Sequence, residues 1–172
     1  MPPFQIRQAE LDDIPGLHEL SLAVIRDGRG VVFTLEDAQA QGPRTGARVA
    51  ESIAPATRDD ALVLVAVADG RIVGYASVHR VKPTFARHVG VFSTEVHPEF
   101  QRRGIGRALM RGSLQWAQAR GIERFELYTR ADNERARALY ESEGFTEESK
   151  RMRFIRLPDG RYVDDIVYVR FL

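Results

Sequence analysis

The residues best suited to do chemistry lie in Gln101-Arg102-Arg103-Gly104-Ile105-Gly106, a glycine-containing turn that leads into a helical pattern. The first turn of a helix leaves backbone N–H groups unpaired at the positive end of its dipole. Glycine lets that backbone approach an anion without a Cβ clash. Arg102, Arg103 and Arg107 can add charge-assisted contacts at the rim. The chemistry implied is the holding of a phosphate or diphosphate, although the turn taken alone suits a solvated basic helix entry equally well. Other phosphate motifs do not fit. A dinucleotide-binding G-x-G-x-x-G needs a third glycine where Leu109 stands, and no acidic ribose partner follows. The glycine-lysine-serine/threonine ending of a Walker loop is absent, as is the G-x-S-x-G elbow of serine hydrolases. Without cysteine there is no disulfide, no thiolate metal site and no covalent cysteine intermediate. Four scattered histidines argue against zinc, so no metal is expected.

A chain of 172 residues, 44% of them apolar, fits a single domain over residues 1–172 with a sizeable core. A net charge of +1 gives no reason to expect nucleic acid or a membrane surface as partner. No run approaches the roughly 18 apolar residues of a membrane span. Met1-Pro2-Pro3-Phe4 lacks the basic-then-apolar pattern of a signal peptide, and a cytoplasmic location is expected.

The elements that must position the turn follow from periodicity and punctuation. Phe4 to Gln8 reads as a strand, and Leu11 to about Arg26 as a helix capped by Asp12 or Asp13, with Pro15 in its first turn. Thr34 to Thr57, broken by Gly42-Pro43 and Gly46, reads as two short helices or a mobile lid. Ala61 to Ala68 and Arg71 to Arg80 form a hairpin around Asp69-Gly70. A strand from about His88 to His97 follows, closed by Pro98. The helix after the turn carries Ile105, Ala108, Leu109, Gly112, Trp116 and Ala119 on one face and stops at Gly121. Phe125 to Thr129 is a strand with Glu126 and Tyr128 on the side opposite Phe125 and Leu127. Asn133 to Glu143 is a short helix ended by Gly144, and the tail is a hairpin turned at Leu157-Pro158-Asp159-Gly160. This order gives an α+β layer sandwich.

At this point the residues resemble the GNAT superfamily of acyl-CoA-dependent N-acetyltransferases. Val96 through Gly106 looks like its motif A, and Asn133 through Phe145 is similar to its motif B at the expected distance. The opening Ile6 to Asp13 and the closing Asp159 to Asp165 extend the likeness over nearly the whole chain. The resemblance implies a twisted, splayed mixed sheet of about seven strands flanked by about four helices. It implies acetyl-CoA as co-substrate, with backbone groups of Thr94, Glu95 and Val96 pairing with the pantetheine arm. Gln101, Arg102, Arg103, Gly104, Ile105, Gly106, Arg107, Ala108 and Leu109 would hold the diphosphate. Asn133 would contact the pantetheine, and Arg135 and Ala136 would line the outer wall. Tyr140 is placed where the family commonly carries the acid that protonates the leaving thiolate, beside the cofactor.

Amide formation also needs a neutral amine, and Glu126, Tyr128 and Glu95 are the candidates to handle its proton. The activity expected is direct acetyl transfer to a primary amine of a small molecule or amino acid. A protein or peptide N-terminus as acceptor, and a non-catalytic acyl-CoA-binding module, are the alternatives. The oligomeric state is left open, although the C-terminal strand could pair with a second copy in a homodimer.

Overall fold

A computed structural model describes residues 4–54 and 59–172. The first strand, β1 (Gln5–Gln8), passes through a short 3-10 turn into α1 (Ile14–Asp27), which has Pro15 at its start. Asp13 does not cap that helix with its side chain. Its carboxylate accepts from the Glu10 N–H (2.8 Å) and from both terminal nitrogens of Arg7 (2.6 and 2.7 Å), which ties the turn back to β1.

The next segment differs from its sequence reading. Leu35–Ile53 is one continuous helix, α2, that runs through Gly42-Pro43 and Gly46. A reciprocal cap nucleates it: the Asp37 N–H donates to Thr34 Oγ1 (3.1 Å) and the Thr34 N–H donates to Asp37 Oδ2 (2.8 Å). Gly46 is a contact point with α1, because a Cβ there would lie 3.3 Å from Ile14 Cγ2. Buried Val49 and the neighbouring Ile53 hold the last turns of α2 against the sheet. Tertiary packing thus overrides the local breakers. The expectation for residues 55–57 lies outside the described residues.

The remaining elements are β2 (Ala61–Ala68), β3 (Arg71–Arg80), β4 (Val89–Val96), α3 (Ile105–Ala119), β5 (Arg124–Arg130), α4 (Glu134–Ser142), β6 (Thr146–Arg156) and β7 (Tyr162–Phe171). Asp69 and Gly70, with φ of 50° and 72°, turn the β2–β3 hairpin as their sequence predicts. The seven strands form one sheet in the order β1-β2-β3-β4-β5-β7-β6, antiparallel except for the β4–β5 pair. Helix α3 packs on β2, β3 and β4 from one face, and α1 and α2 cover the same strands from the other. The larger core lies on the α3 side, where Ala76, Val78 and Phe92 meet Leu109, Met110, Phe125, Tyr140 and Tyr168. This is the expected α+β class.

One expectation is overturned. The C-terminal strand β7 is paired on both sides, with β5 and with β6, and has no free edge. The tail hairpin folds its first strand outward, so the sheet edge left for a second chain at this end is β6.

The position of α3 depends on a close approach at Gly74. A Cβ there would sit 2.7 Å from Ile105 Cγ2 and 3.1 Å from both Leu109 Cδ1 and Ala66 Cβ, all in the core. Gly74→Val is therefore expected to cost about 1–3 kcal/mol through overpacking. The melting temperature should fall by about 2–4 °C for each of those kcal/mol. An unchanged melting temperature would contradict the packing described.

Candidate active site

Strand β4 keeps its antiparallel pairing with β3 along its whole length, ending at Gly74 opposite Val96. Its parallel pairing with β5 runs only from Val89 and Arg124 to Phe92 and Leu127. Beyond that point β5 stays with β7, through Tyr128 opposite Val167 and Arg130 opposite Asp165. Each strand thus follows a different neighbour, and a slot opens between Ser93–Val96 and Tyr128–Arg130.

The hydrogen bonds of β4 show which groups face the slot. Val89 C=O accepts from the Val81 N–H and the His97 N–H donates to Val73 C=O, both at 2.9 Å. In an antiparallel ladder the bonded residues alternate, so the odd-numbered residues of β4 face β3 and the even-numbered ones face β5. Phe92 is met by β5, whereas Thr94 and Val96 direct their backbone groups into the slot. There only Val96 C=O has a partner among the described residues, Gln101 Nε2 at 3.3 Å.

The predicted anion turn closes one end of this slot. Gly104 adopts φ 82° as the N-terminal cap of α3, and no side chain caps the helix. At Gly106 three elements meet, since a Cβ there would lie 3.4 Å from Leu139 of α4 and 3.7 Å from Val96 of β4. Arg135 donates to Gln101 Oε1, linking the first turn of α4 to the turn before α3. Asn133 accepts from the Ala136 N–H (3.3 Å) as the cap of α4. Of the predicted cofactor residues, Ile105 and Leu109 are buried in the core and hold the helix in place, while Arg102, Arg103 and Arg107 are exposed.

Tyr140 lies on the α3 side of the slot. Its ring packs on Phe145 (6.2 Å) and edge-on against Tyr168 (5.8 Å), and Tyr168 stands directly opposite Leu127, where β5 leaves β4. The Tyr140 hydroxyl has no hydrogen-bond partner among the described residues, yet it is not sealed in. Burial, reinforced by Tyr168, pushes its pKa up to about 12. Two contacts hold this end of α4. Glu143, almost fully buried, takes Arg111 in a two-point pair (2.9 and 3.0 Å) and Arg107 at 3.0 Å, binding α4 to α3. Tyr168 donates to Glu141 (2.7 Å) and accepts from Arg137 (3.2 Å).

Glu95 lies on the opposite, α1 and α2, side. It faces Tyr75 across the β3–β4 pair and has no hydrogen bond or ion pair among the described residues. Burial raises its pKa with nothing to offset it.

The other two base candidates are placed differently. Glu126 sits opposite Val91 in the closed part of the β4–β5 pair. It accepts from Arg124 (3.1 and 3.0 Å) and from the Tyr128 hydroxyl (2.8 Å), and Arg124 also binds Glu148. Tyr128 is half-exposed beneath the Arg151 guanidinium. The structure therefore brings Glu95 and Tyr140 to the slot from its two faces and ties Glu126 and Tyr128 to each other. Sequence reasoning did not single out Tyr75, Tyr168 or Glu143. The alternation of Tyr75, Ser77 and His79 along β3 was a readable signal for the first, but no local pattern pointed to the other two.

Comparison with known proteins decides the family. Residues 31–145 match the acetyltransferase (GNAT) family. The chain belongs to the GNAT acetyltransferase family. It is 41% identical over 71 residues to the ribosomal protein bS18-alanine N-acetyltransferase of Escherichia coli K12, covering 41% of this chain and 48% of that protein. It is 50% identical over 56 residues to the mycothiol acetyltransferase of Beutenbergia cavernae, 33% of this chain and 19% of that one. The matched stretch thus spans less than half of either relative. Its fold is similar to that of yncA, a putative acetyltransferase of Salmonella typhimurium solved with its cofactor acetyl-CoA, at a TM-score of 0.84 and 22% identity over 98% of this chain and 94% of that one. Among the described residues no group of three or more His, Cys, Asp or Glu could hold a metal, and no helix is long and apolar enough to cross a membrane.

The environment of Glu95 has a measurable consequence for this GNAT domain. Below its ordinary value of 4.5 the carboxyl is protonated in both the folded and unfolded chain. As pH rises through its raised folded value, the unfolded chain gives up the proton more readily and the fold loses stability. Glu95→Gln should therefore melt higher than the native chain at about pH 7–8, with the difference disappearing near about pH 4. A variant that melts lower at neutral pH would show that Glu95 stabilises the fold.

Proposed function

We propose that the protein is an N-acetyltransferase that moves acetyl from acetyl-CoA to a primary amine of a small molecule or amino acid, directly within a ternary complex. The observation that carries this reading is the slot with a carboxyl on one face and a buried tyrosine on the other. The residues fit acetyl-CoA. Thr94 and the Val96 N–H offer unpaired backbone groups of the kind an extended arm adds to as a further strand. The uncapped start of α3, with Gly104 and Gly106, suits a diphosphate, and Arg102, Arg103, Arg107 and Arg135 supply charge around it. Ala136 and Asn133 line the α4 side.

Acetyl-CoA supplies an acyl group activated as a thioester. Glu95, through an ordered water, takes the proton of the amine as its nitrogen forms the new bond to the acyl carbon. The Val96 N–H donates to the acyl oxygen as charge develops on it. Tyr140 donates a hydrogen bond to the sulfur as the C–S bond breaks. With a pKa of about 12, Tyr140 keeps its proton at neutral pH. Passing that proton completely to a thiolate of pKa about 8.5 would cost about 5 kcal/mol, so donation to the departing sulfur is its contribution rather than prior ionisation. With the base on one face and the hydrogen-bond donor on the other, the amine enters from one side and the sulfur leaves from the other as a thiolate, which takes its proton from water.

An α-amine, with pKa near about 8, is neutralised more cheaply than a lysine-like amine near about 10.4. The likeness to a ribosomal-protein-alanine acetyltransferase favours a second reading, in which the α-amine belongs to a protein or peptide N-terminus. A cytoplasmic setting goes with either.

The test is CoA release with free amino acids, polyamines, aminoglycosides and peptide N-termini as acceptors. Glu95→Gln and Tyr140→Phe should each lower turnover on the order of 10²-fold while acetyl-CoA affinity stays within about twofold. Parallel double-reciprocal lines with an isolable acetyl-enzyme would contradict direct transfer. Tight acetyl-CoA binding without turnover on any acceptor would instead identify a non-catalytic binding module.

A further inference from the structure

The segment between α1 and α2 reaches the end of β5 and the cap of α4. Gly30, at φ 75°, lies flat on Asn133, where a Cβ would come within 2.2 Å of Asn133 Nδ2. The next residue, Val31, is fixed by its carbonyl, which accepts from Arg130 Nη1 (2.8 Å) at the end of β5. Arg29 is thereby held beside the first turn of α4, two residues from Arg135. On the other side the bond from Arg135 to Gln101 brings Arg102 into the same group.

We infer that Arg29, Arg102 and Arg135 form one phosphate clamp, in which Arg29 is a jaw supplied by the α1–α2 segment rather than by the turn before α3. The inference rests on the acetyl-CoA reading and adds a residue outside the two motifs to its binding site. The charge balance favours an anion. Asp27 is bound by Arg29 at two points (2.8 and 2.7 Å) and lies within the field of Arg135, which helps to hold its carboxyl below the usual carboxylate range. One carboxylate thus stands against three guanidinium groups. Arg102 has no hydrogen bond or ion pair among the described residues, whereas Arg29, its side chain 65% exposed, must exchange its pair with Asp27 for the ligand. Arg135 is held below its ordinary pKa by burial and then by the repulsion of Arg29 and Arg102. A phosphate among them removes that repulsion and makes charge-assisted hydrogen bonds to planar donors.

Calorimetry of the full chain with CoA and with dephospho-CoA tests the clamp without relying on activity. Arg29→Gln should weaken CoA binding about threefold to tenfold, as expected for a part-exposed charged contact, with an unchanged melting temperature. Asp27→Asn removes the competing carboxylate and should tighten binding. If the Arg29→Gln loss is the same with dephospho-CoA, the clamped group is the diphosphate. If the loss disappears with dephospho-CoA, it is the 3′-phosphate. Either result supports the clamp. Equal CoA affinity of Arg29→Gln and the native chain overturns it while leaving the acetyl-CoA reading intact. Failure of the native chain to bind CoA would overturn that reading, and the clamp with it.

Discussion

The separation of β4 from β5 after Phe92 and Leu127 is the constraint on which the rest of the structure depends. A strand edge is costly unless its N–H and C=O groups find partners, and here those of Thr94 and the Val96 N–H have none among the described residues. The separation is held open because both strands are satisfied elsewhere, β4 by β3 up to Val96 and β5 by β7 up to Arg130. Over the gap, Val96, Gly106 and Leu139 come together, so the end of a strand, the start of α3 and the second half of α4 are fixed at one point. Gly74 allows this on the sheet side by admitting Ile105 and Leu109 without an intervening Cβ.

Around the gap one face carries an unpaired carboxyl and the other is well ordered. Glu95 is a half-buried carboxyl without a partner among the described residues, the kind of group that folding ordinarily avoids. Tyr140 is surrounded by rings and backed by Tyr168, and its helix is bound to α3 through Glu143, Arg107 and Arg111. The carboxylates elsewhere on this part of the sheet are neutralised. Glu126 and Glu148 share Arg124, and Asp165 holds Arg151. The unpaired state of Glu95 is therefore a local exception among paired neighbours, as expected where a group must exchange a proton.

Much of this was legible in the sequence because the signals were local. The Asp69-Gly70 turn, the alternation along Phe125 to Thr129, and the glycines around Ile105 each act within a few residues, and each produced the element they predict. The family resemblance supplied what those signals could not, namely that the anion turn and the Tyr140 helix flank one slot. Three features escaped because they depend on contacts far apart in the chain. The continuity of α2 through Pro43 is set by its packing on α1 at Gly46 and on the sheet at Val49 and Ile53. The clasp of Glu143 joins residues 32 positions apart, and the bond from Arg130 to Val31 spans 99. The exposure of β6 rather than β7 likewise follows from which strand of the tail hairpin meets β5, a choice that the hairpin pattern does not contain.

The most direct test of the account is backbone amide exchange at single residues along β4, with and without CoA. The slot predicts slow exchange at Phe92 in both conditions. Thr94 and Val96 should exchange fast in the free protein and slow markedly when CoA is added. Protection of Thr94 and Val96 in the free protein equal to that of Phe92, or no response of either to bound CoA, would contradict the claim that an open strand edge is the binding surface.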